Sequence, residues 1–352
     1  MAVEIDFNTI NIKKTQNYNA DYIRHIVQQE TISFLQDYEH SINESDFSRL
    51  FTYHVEKTRK ELLERIVVYY KKAEQKSKKL TIEHLLQQIL DSITEKNKDN
   101  WLKMHCISML KAFDLLVKKI NNTIKDIPEN DLFKSPFISA NTMHLRKLII
   151  DAEEFLMWLE EYKGGTPKKK ISFCRAVKGF DSNWFAALLF NGIVDTSNFA
   201  FFVSLAFLLR DSLELRVRNA LGIINISRLD GTLAKITNGD FVDFLFENEN
   251  IVVPNLNKAL IKKIFEWCNY HIHRGIVLYE WQLVLSYEYI QDFFKPGKAS
   301  SQMSIFGSVQ MTEDYYKNQL KNDLKKFLVD KNPDNEEIKI TLLDKPEALL
   351  MQ

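Results

Sequence analysis

Glycine and proline are scarce in this chain, at 10 and 7 of 352 residues. Strand-rich folds need more turn formers than that, so the shortage, beside abundant Leu, Ile, Lys and Glu, predicts an all-α protein. Cysteine is scarcer still. Cys106, Cys174 and Cys268 are odd in number and far apart, which excludes a disulfide framework and points to reducing, cytoplasmic surroundings. Excess charge is missing too: 47 basic residues face 47 acidic ones. That removes the simplest electrostatic case for binding nucleic acid or a membrane surface in general, while leaving room for a local basic patch. No apolar run reaches the roughly 20 residues that span a bilayer. The longest, "FAFFVSLAFLL" at 199–209, continues into the charged "RDSLELRVR" and reads as a buried helix, so no membrane partner is expected. The start "MAVEIDFNTI" carries acidic residues and lacks the apolar stretch of a signal peptide. There is no P-loop, no glycine-rich dinucleotide loop, no Ser-His-Asp order and no zinc-ribbon cysteine pair, and no cofactor is expected.

What the chain does contain is helical periodicity. One amphipathic pattern covers 20–39. A long one starts at Asp46, with Phe47, Leu50, Phe51, Leu62, Leu63, Ile66 and Tyr70 at helical spacing. Thr81 has the chemistry of an N-cap for "TIEHLLQQIL", and another helix runs from Trp101 towards Pro128. Residues 1–127 therefore read as an N-terminal helical bundle. Residues 128–180 read as a linker, "PENDLFKSPFISAN", followed by a connecting helix from about Asn141 to Tyr162 and a break at "KGGTPKKK". Residues 181–296 form a second helical domain. Its long helix spans about Ser197 to Leu221, with Gly222 suited to the left-handed C-terminal position. A β-hairpin insertion is expected around Asp230-Gly231, then a short helix after Asn238-Gly239, a helix ending at Gly275, and one more behind it. Residues 297–352 form a tail with a short strand near Ser304 to Val309, one helix near Tyr315 to Leu328 and a strand at "IKITLL".

The segment with the most chemistry is "EWCNYHIHRG", residues 266–275. On a helix, Leu256, Leu260, Ile264, Cys268 and Ile272 form one apolar row, and Ile261, Phe265, Asn269 and His273 form the next. Cys268 thus belongs to a buried stripe, while Asn269 and His273 are stacked one turn apart beside a glycine turn. Three readings of this pair stand side by side: a hydrogen-bonded pair that steadies a helix end, a working or vestigial nucleic-acid site, and a metal site. Cys268, His271 and His273 carry ligand atoms, but Cys268 and His273 point away from each other and zinc needs three or four convergent ligands. No metal ligand is assigned. The charges of "RDSLELRVR" form an intrahelical ladder or a solvated face, since Arg210, Glu214 and Arg218 lie four apart. The aromatics Trp267, Tyr270, Tyr279 and Trp281 either stack on bases or fill the core.

Asn269-x-x-x-His273 near the end of a late helix resembles the motif of the HEPN family, in which Arg, a polar residue and three variable residues precede His. The long preceding helix with "LLRDSLELRVRNAL" is similar to the family's architecture. The likeness covers residues 180–295, and the arginine position holds Cys268. The resemblance implies an intracellular protein of bacterial defence or toxin type that binds RNA or a protein partner, as a homodimer or a subunit of a complex. It extends to a divergent, metal-independent ribonuclease. In that chemistry His273 handles a proton, Asn269 orients the phosphate or the imidazole, and an arginine stabilises phosphate charge. A thiol cannot replace a guanidinium that grips phosphate in a bidentate way. The role would fall to Arg274, or to Arg210, Arg216 or Arg218 on the long helix. The alternative is a non-enzymatic helical interaction subunit, with the zero net charge, the aromatic-rich segment 184–209 and the long tail as its features.

Overall fold

A computed structural model describes residues 44–128, 134–165, 199–294 and 308–344, together with Leu35 and the strands at 175–176 and 303–304. Ser92, Glu95, Leu233, Lys235, Gly275, Leu278 and Glu336 are outside the described set. The expected amphipathic pattern at 20–39 lies outside the described residues apart from Leu35, as does the aromatic segment 184–198.

The described chain is mostly helical. Its elements are α1 (Glu44–Tyr69), α2 (Ala73–Lys79), α3 (Ile82–Ile89), α4 (Lys98–Asp126), α5 (Lys134–Lys163), β1 (Arg175–Ala176), α6 (Phe199–Ala220), β2 (Ile223–Arg228), α7 (Asn238–Glu247), β3 (Ile251–Val252), α8 (Lys258–Arg274), β4 (Ile276–Val277), α9 (Glu280–Phe294), β5 (Met303–Ser304), β6 (Gln310–Met311), α10 (Glu313–Asn318), α11 (Leu320–Lys331) and β7 (Ile338–Leu342). No helix of the described residues is long and apolar enough to cross a membrane. Thr81 caps α3 by accepting a hydrogen bond from the His84 amide at 3.2 Å. Helix α5 starts at Lys134, well before Asn141, because Pro136 falls in its first turn, where a missing N–H costs nothing.

Compact units are formed by 1–71 with 113–156, and by 72–112 with 157–352. In the first, Phe51, Val55, Leu62 and Ile66 of α1 are buried, as are Phe113, Leu116 and Ile120 of α4 and Leu145, Leu148, Ile149, Ala152 and Phe155 of α5. Arg59 binds Asp114 through two hydrogen bonds, at 2.6 and 3.0 Å, and the buried Arg65 reaches Glu153 at 2.5 Å.

The second unit holds the candidate site. Helix α6 packs on α7, α8 and α9, and α9 packs on α3. The α6 stripe Ala206, Leu209, Leu213, Val217 and Ala220 is buried, and so is the α8 stripe Leu260, Ile261, Ile264 and Cys268. Side chains of α8 and α9 satisfy the end of α3: Lys263 donates to the Gln87 carbonyl at 2.6 Å and Gln282 to the Ile89 carbonyl at 2.9 Å. The histidine His105 is fully enclosed among Trp101, Tyr279 and Trp281 and accepts from the Trp281 indole N–H at 3.0 Å. Burial pushes its pKa down to about 3, so it is a neutral core group.

Among the described residues three small sheets complete this unit: β1 with β4, β2 with β7, and β3-β6-β5. The all-α reading stands, but the strand at 223–228 has a different partner from the one its turn signal predicts. Asp230-Gly231 makes a tight turn, with Gly231 at φ 82°, yet β2 pairs antiparallel with β7 through Ile226↔Ile340 and Arg228↔Ile338. The tail is therefore built into the fold, with Leu320, Leu324, Leu328, Ile338 and Ile340 buried, and its expected single helix is two, α10 and α11. Gly222, at φ 65°, ends α6 in the left-handed conformation and turns the chain into β2. A Cβ there would run into the Tyr316 hydroxyl, which donates to the Leu343 carbonyl at 2.7 Å.

Asp243 on α7 joins three helices. Its carboxylate accepts from Lys262 on α8 at 3.0 and 3.1 Å and from Lys331 on α11 at 3.2 Å. Burial alone would raise its pKa, but the lysine hydrogen bonds and charges outweigh it and hold the group below the usual carboxylate value. A depressed folded pKa means a contribution present above the unfolded value of about 4 and lost as pH falls through the folded one. Asp243→Asn should thus lower stability at pH 7 by about 1–3 kcal/mol, with the gap to wild type closing below pH ~4 in urea titrations. Gly222→Ala should cost at least the roughly 1–2 kcal/mol of a left-handed alanine, read as a lower melting temperature. An unchanged melt would remove the packing role given to Gly222.

Candidate functional site

Helical spacing decides which arginines meet Asn269. Arg210, Glu214 and Arg218 lie on one face of α6, and Asn269 lies on α8, which packs beside it. All four line one pocket of about 690 Å³. Its remaining polar wall comes from Lys262 and Glu266, two turns and one turn before Asn269 on α8, and from the loop and first turn of α7 at 237–240. Ile226, Ala234, Ile236, Phe241 and Phe265 supply the apolar part. The volume is in the ordinary range for a small-ligand site.

Arg216, two residues away from Glu214, points elsewhere. It is 7% exposed, donates from Nε to the Phe293 carbonyl at 2.7 Å and sits beside the Phe293 and Phe294 rings. Burial pulls its pKa down to about 10, which leaves it charged at neutral pH. It fastens α6 to α9 and does not line the pocket. His273 and Arg274 occupy the last turn of α8, and their side chains lie outside the described residues.

Cys268 is fully buried, and desolvation pushes its thiol up to about 12, with the nearby Arg210 charge opposing the shift. It is neither a cation nor a thiolate at neutral pH. Arg210 thus brings its guanidinium from α6 to the neighbourhood of Cys268. His271 is buried and meets the Trp267 ring edge-on at 5.0 Å. Trp281 and Trp267 are core residues, whereas Tyr270 is exposed. Among the described residues no group of His, Cys, Asp or Glu is arranged to hold a metal ion.

The charged groups of the pocket differ in how firmly they are held. Thr237 and Asp240 satisfy each other in a capping box, with the Thr237 amide donating to Asp240 at 2.7 Å and the Asp240 amide to the Thr237 hydroxyl at 3.3 Å. Lys262 is committed to Asp243. Arg210 and Arg218 stand 3.8 and 3.9 Å from the two oxygens of Glu214, in ion-pair range but beyond hydrogen-bond reach. Among the described residues two polar atoms of the pocket residues are buried with no hydrogen-bond partner: the donor Nε of Arg210 and the acceptor Oδ1 of Asn269. Such atoms cost about 1–3 kcal/mol each unless a partner arrives.

The sequence assigns no site role to Lys262, Glu266 or the 237–240 loop. The spacing 262, 266, 269 on one helix was the available signal. The loop carried none beyond its turn chemistry. The buried thiol makes a direct prediction: iodoacetamide at pH 8 should leave Cys268 unlabelled in the native protein and modify it only after unfolding, as read by peptide mass mapping. Rapid native labelling would show that the α6–α8 seam opens. No family model, no curated protein and no solved structure matches the chain.

Proposed function

We propose that the 181–296 region is a HEPN-like domain of a bacterial defence or toxin-type protein, and that it binds RNA through the pocket between α6 and α8. The observation that carries this reading is the convergence of Arg210 and Arg218 with Asn269 on one cavity. Two guanidiniums offer forked donors suited to phosphate oxygens, and an amide offers both a donor and an acceptor. The domain binds rather than cleaves as its main activity, because Cys268 supplies no charge where the motif's arginine would act. A weak metal-independent ribonuclease remains within the reading through His273.

The pocket wall balances three cations, Arg210, Arg218 and Lys262, against three carboxylates, Glu214, Asp240 and Glu266. Such a wall favours one phosphate at the arginines over a continuous polyanion track. The salt dependence of binding should therefore be shallow, near the slope of about −0.7 expected for one neutralised phosphate of a single strand. Labelled single-stranded RNA should bind wild-type protein, with Arg210→Ala and Asn269→Ala each weakening it about tenfold or more, a loss near 1.4 kcal/mol. His273→Ala should leave binding in place and abolish any cleavage. RNA that binds neither wild type nor variants would end the nucleic-acid reading.

The alternative, an interaction subunit without enzymatic activity, is favoured by Phe207, Leu208 and Leu215 of α6, which are about half exposed. Deleting 297–352 cannot test it, because that segment supplies β7 and buried leucines. Phe207→Glu with Leu215→Glu should then dissociate a partner or a homodimer in size-exclusion chromatography while leaving the melt unchanged.

A further inference from the structure

Each carboxylate oxygen of Glu214 faces a different arginine, Oε2 towards Arg210 and Oε1 towards Arg218. One negative charge is thus shared by two positive ones, at a separation where neither guanidinium donates a hydrogen bond to it. Two other charged groups of the wall are closed off at hydrogen-bond distance, Asp240 by Thr237 and Lys262 by Asp243. The Arg210–Glu214–Arg218 triad, held at ion-pair distance alone, is able to change partners. It is also half-buried, with side-chain exposures of 28%, 24% and 36%, so its charges are only partly screened by water. Next to it stand the unpartnered Arg210 Nε, which needs an acceptor, and the unpartnered Asn269 Oδ1, which needs a donor.

We propose that Glu214 is a resident counter-anion for the two arginines, and that the terminal phosphate of a nucleotide or an RNA end displaces it. This rests on the RNA-binding reading and narrows its ligand to a phosphomonoester. An internal phosphodiester carries one charge, the same as Glu214, and gains little by the exchange. A phosphomonoester brings roughly −1.5 to −2 charges near neutral pH and three acceptor oxygens, enough to engage both forks at once. The sugar of the same nucleotide carries hydroxyl donors for Asn269 Oδ1. The cavity of about 690 Å³ holds one nucleotide of this size. Glu214 then sets selectivity: its charge opposes every incoming anion, and only a ligand with more charge than itself overcomes it well.

The test compares one short RNA with a 5′-phosphate or a 5′-hydroxyl, a nucleoside 5′-monophosphate and inorganic phosphate, by calorimetry and competition on the full chain. The 5′-phosphorylated RNA should bind about tenfold tighter than its 5′-hydroxyl twin, and the monophosphate nucleotide should compete with it better than inorganic phosphate. Glu214→Gln, nearly isosteric, should tighten the phosphorylated RNA several-fold, and Glu214→Ala should do the same; matching melts show that both variants fold. Equal affinity for the two ends, with Arg210→Ala still weakening both, would overturn the terminal-phosphate assignment and leave RNA binding standing. Weaker or unchanged binding in both Glu214 variants would overturn the counter-anion role. No RNA binding by wild type would remove this inference together with the reading beneath it.

Discussion

Helices α6 and α8 bury complementary apolar stripes, Ala206, Leu209, Leu213 and Val217 on one and Leu260, Ile261, Ile264 and Cys268 on the other, and they pack as a pair. Each large apolar side chain buried there contributes about 1.5–3 kcal/mol relative to exposure, which makes the seam the strongest constraint in this unit. Because the seam consumes one stripe of each helix, the residues next to it have no freedom of address. Arg210, Glu214 and Arg218 follow the α6 stripe at four-residue spacing, and Asn269 follows the α8 stripe, so all four are delivered to the same cavity. Arg216, on the other side of the same helix, is delivered to the backbone of α9 instead. The thiol of Cys268 is small enough to sit inside the seam, where a guanidinium could enter only at a large desolvation cost.

Two kinds of ion pairing coexist in this unit. Around Asp243 the contacts are short, several and directed, and they tie α7, α8 and α11 together. Around Glu214 they are long and single on each side. The first arrangement resists rearrangement, since any one lysine can leave without stranding the carboxylate. The second has low resistance to exchange, since little directional bonding is lost when a competing anion arrives. Tightly and loosely held charges are thus distinguished here by geometry, although their residue types are the same.

Local signals carried much of the fold. Thr81 caps its helix and Gly222 takes a left-handed conformation because these depend on a few adjacent residues. Helix faces were equally legible, which is why the burial of Cys268 and the alignment of Arg210 with Arg218 followed from spacing. The β2–β7 pairing was not legible: the turn at Asp230-Gly231 is real, but the choice of partner strand depends on where α10 and α11 place the tail. The pocket wall at 237–240 was hidden for the same reason, since its capping box is a local feature whose proximity to Arg218 is tertiary.

The pairing of β2 with β7 has a consequence for how the protein comes into being. Strand β2 ends at Arg228 and β7 begins at Ile338, so about 110 residues must be synthesised in between, on the order of ten seconds of translation. Throughout that interval β2 presents an unpaired edge carrying Ile223 and Ile226, the kind of edge that recruits strands from other chains. Helices α6 and α8 are both complete in the chain before β7 is made, α8 ending at Arg274 and β7 beginning at Ile338. Strand β7 is therefore made long after the strand it pairs with, and slow or interrupted translation after residue 228 lengthens the period in which aggregation competes with that pairing.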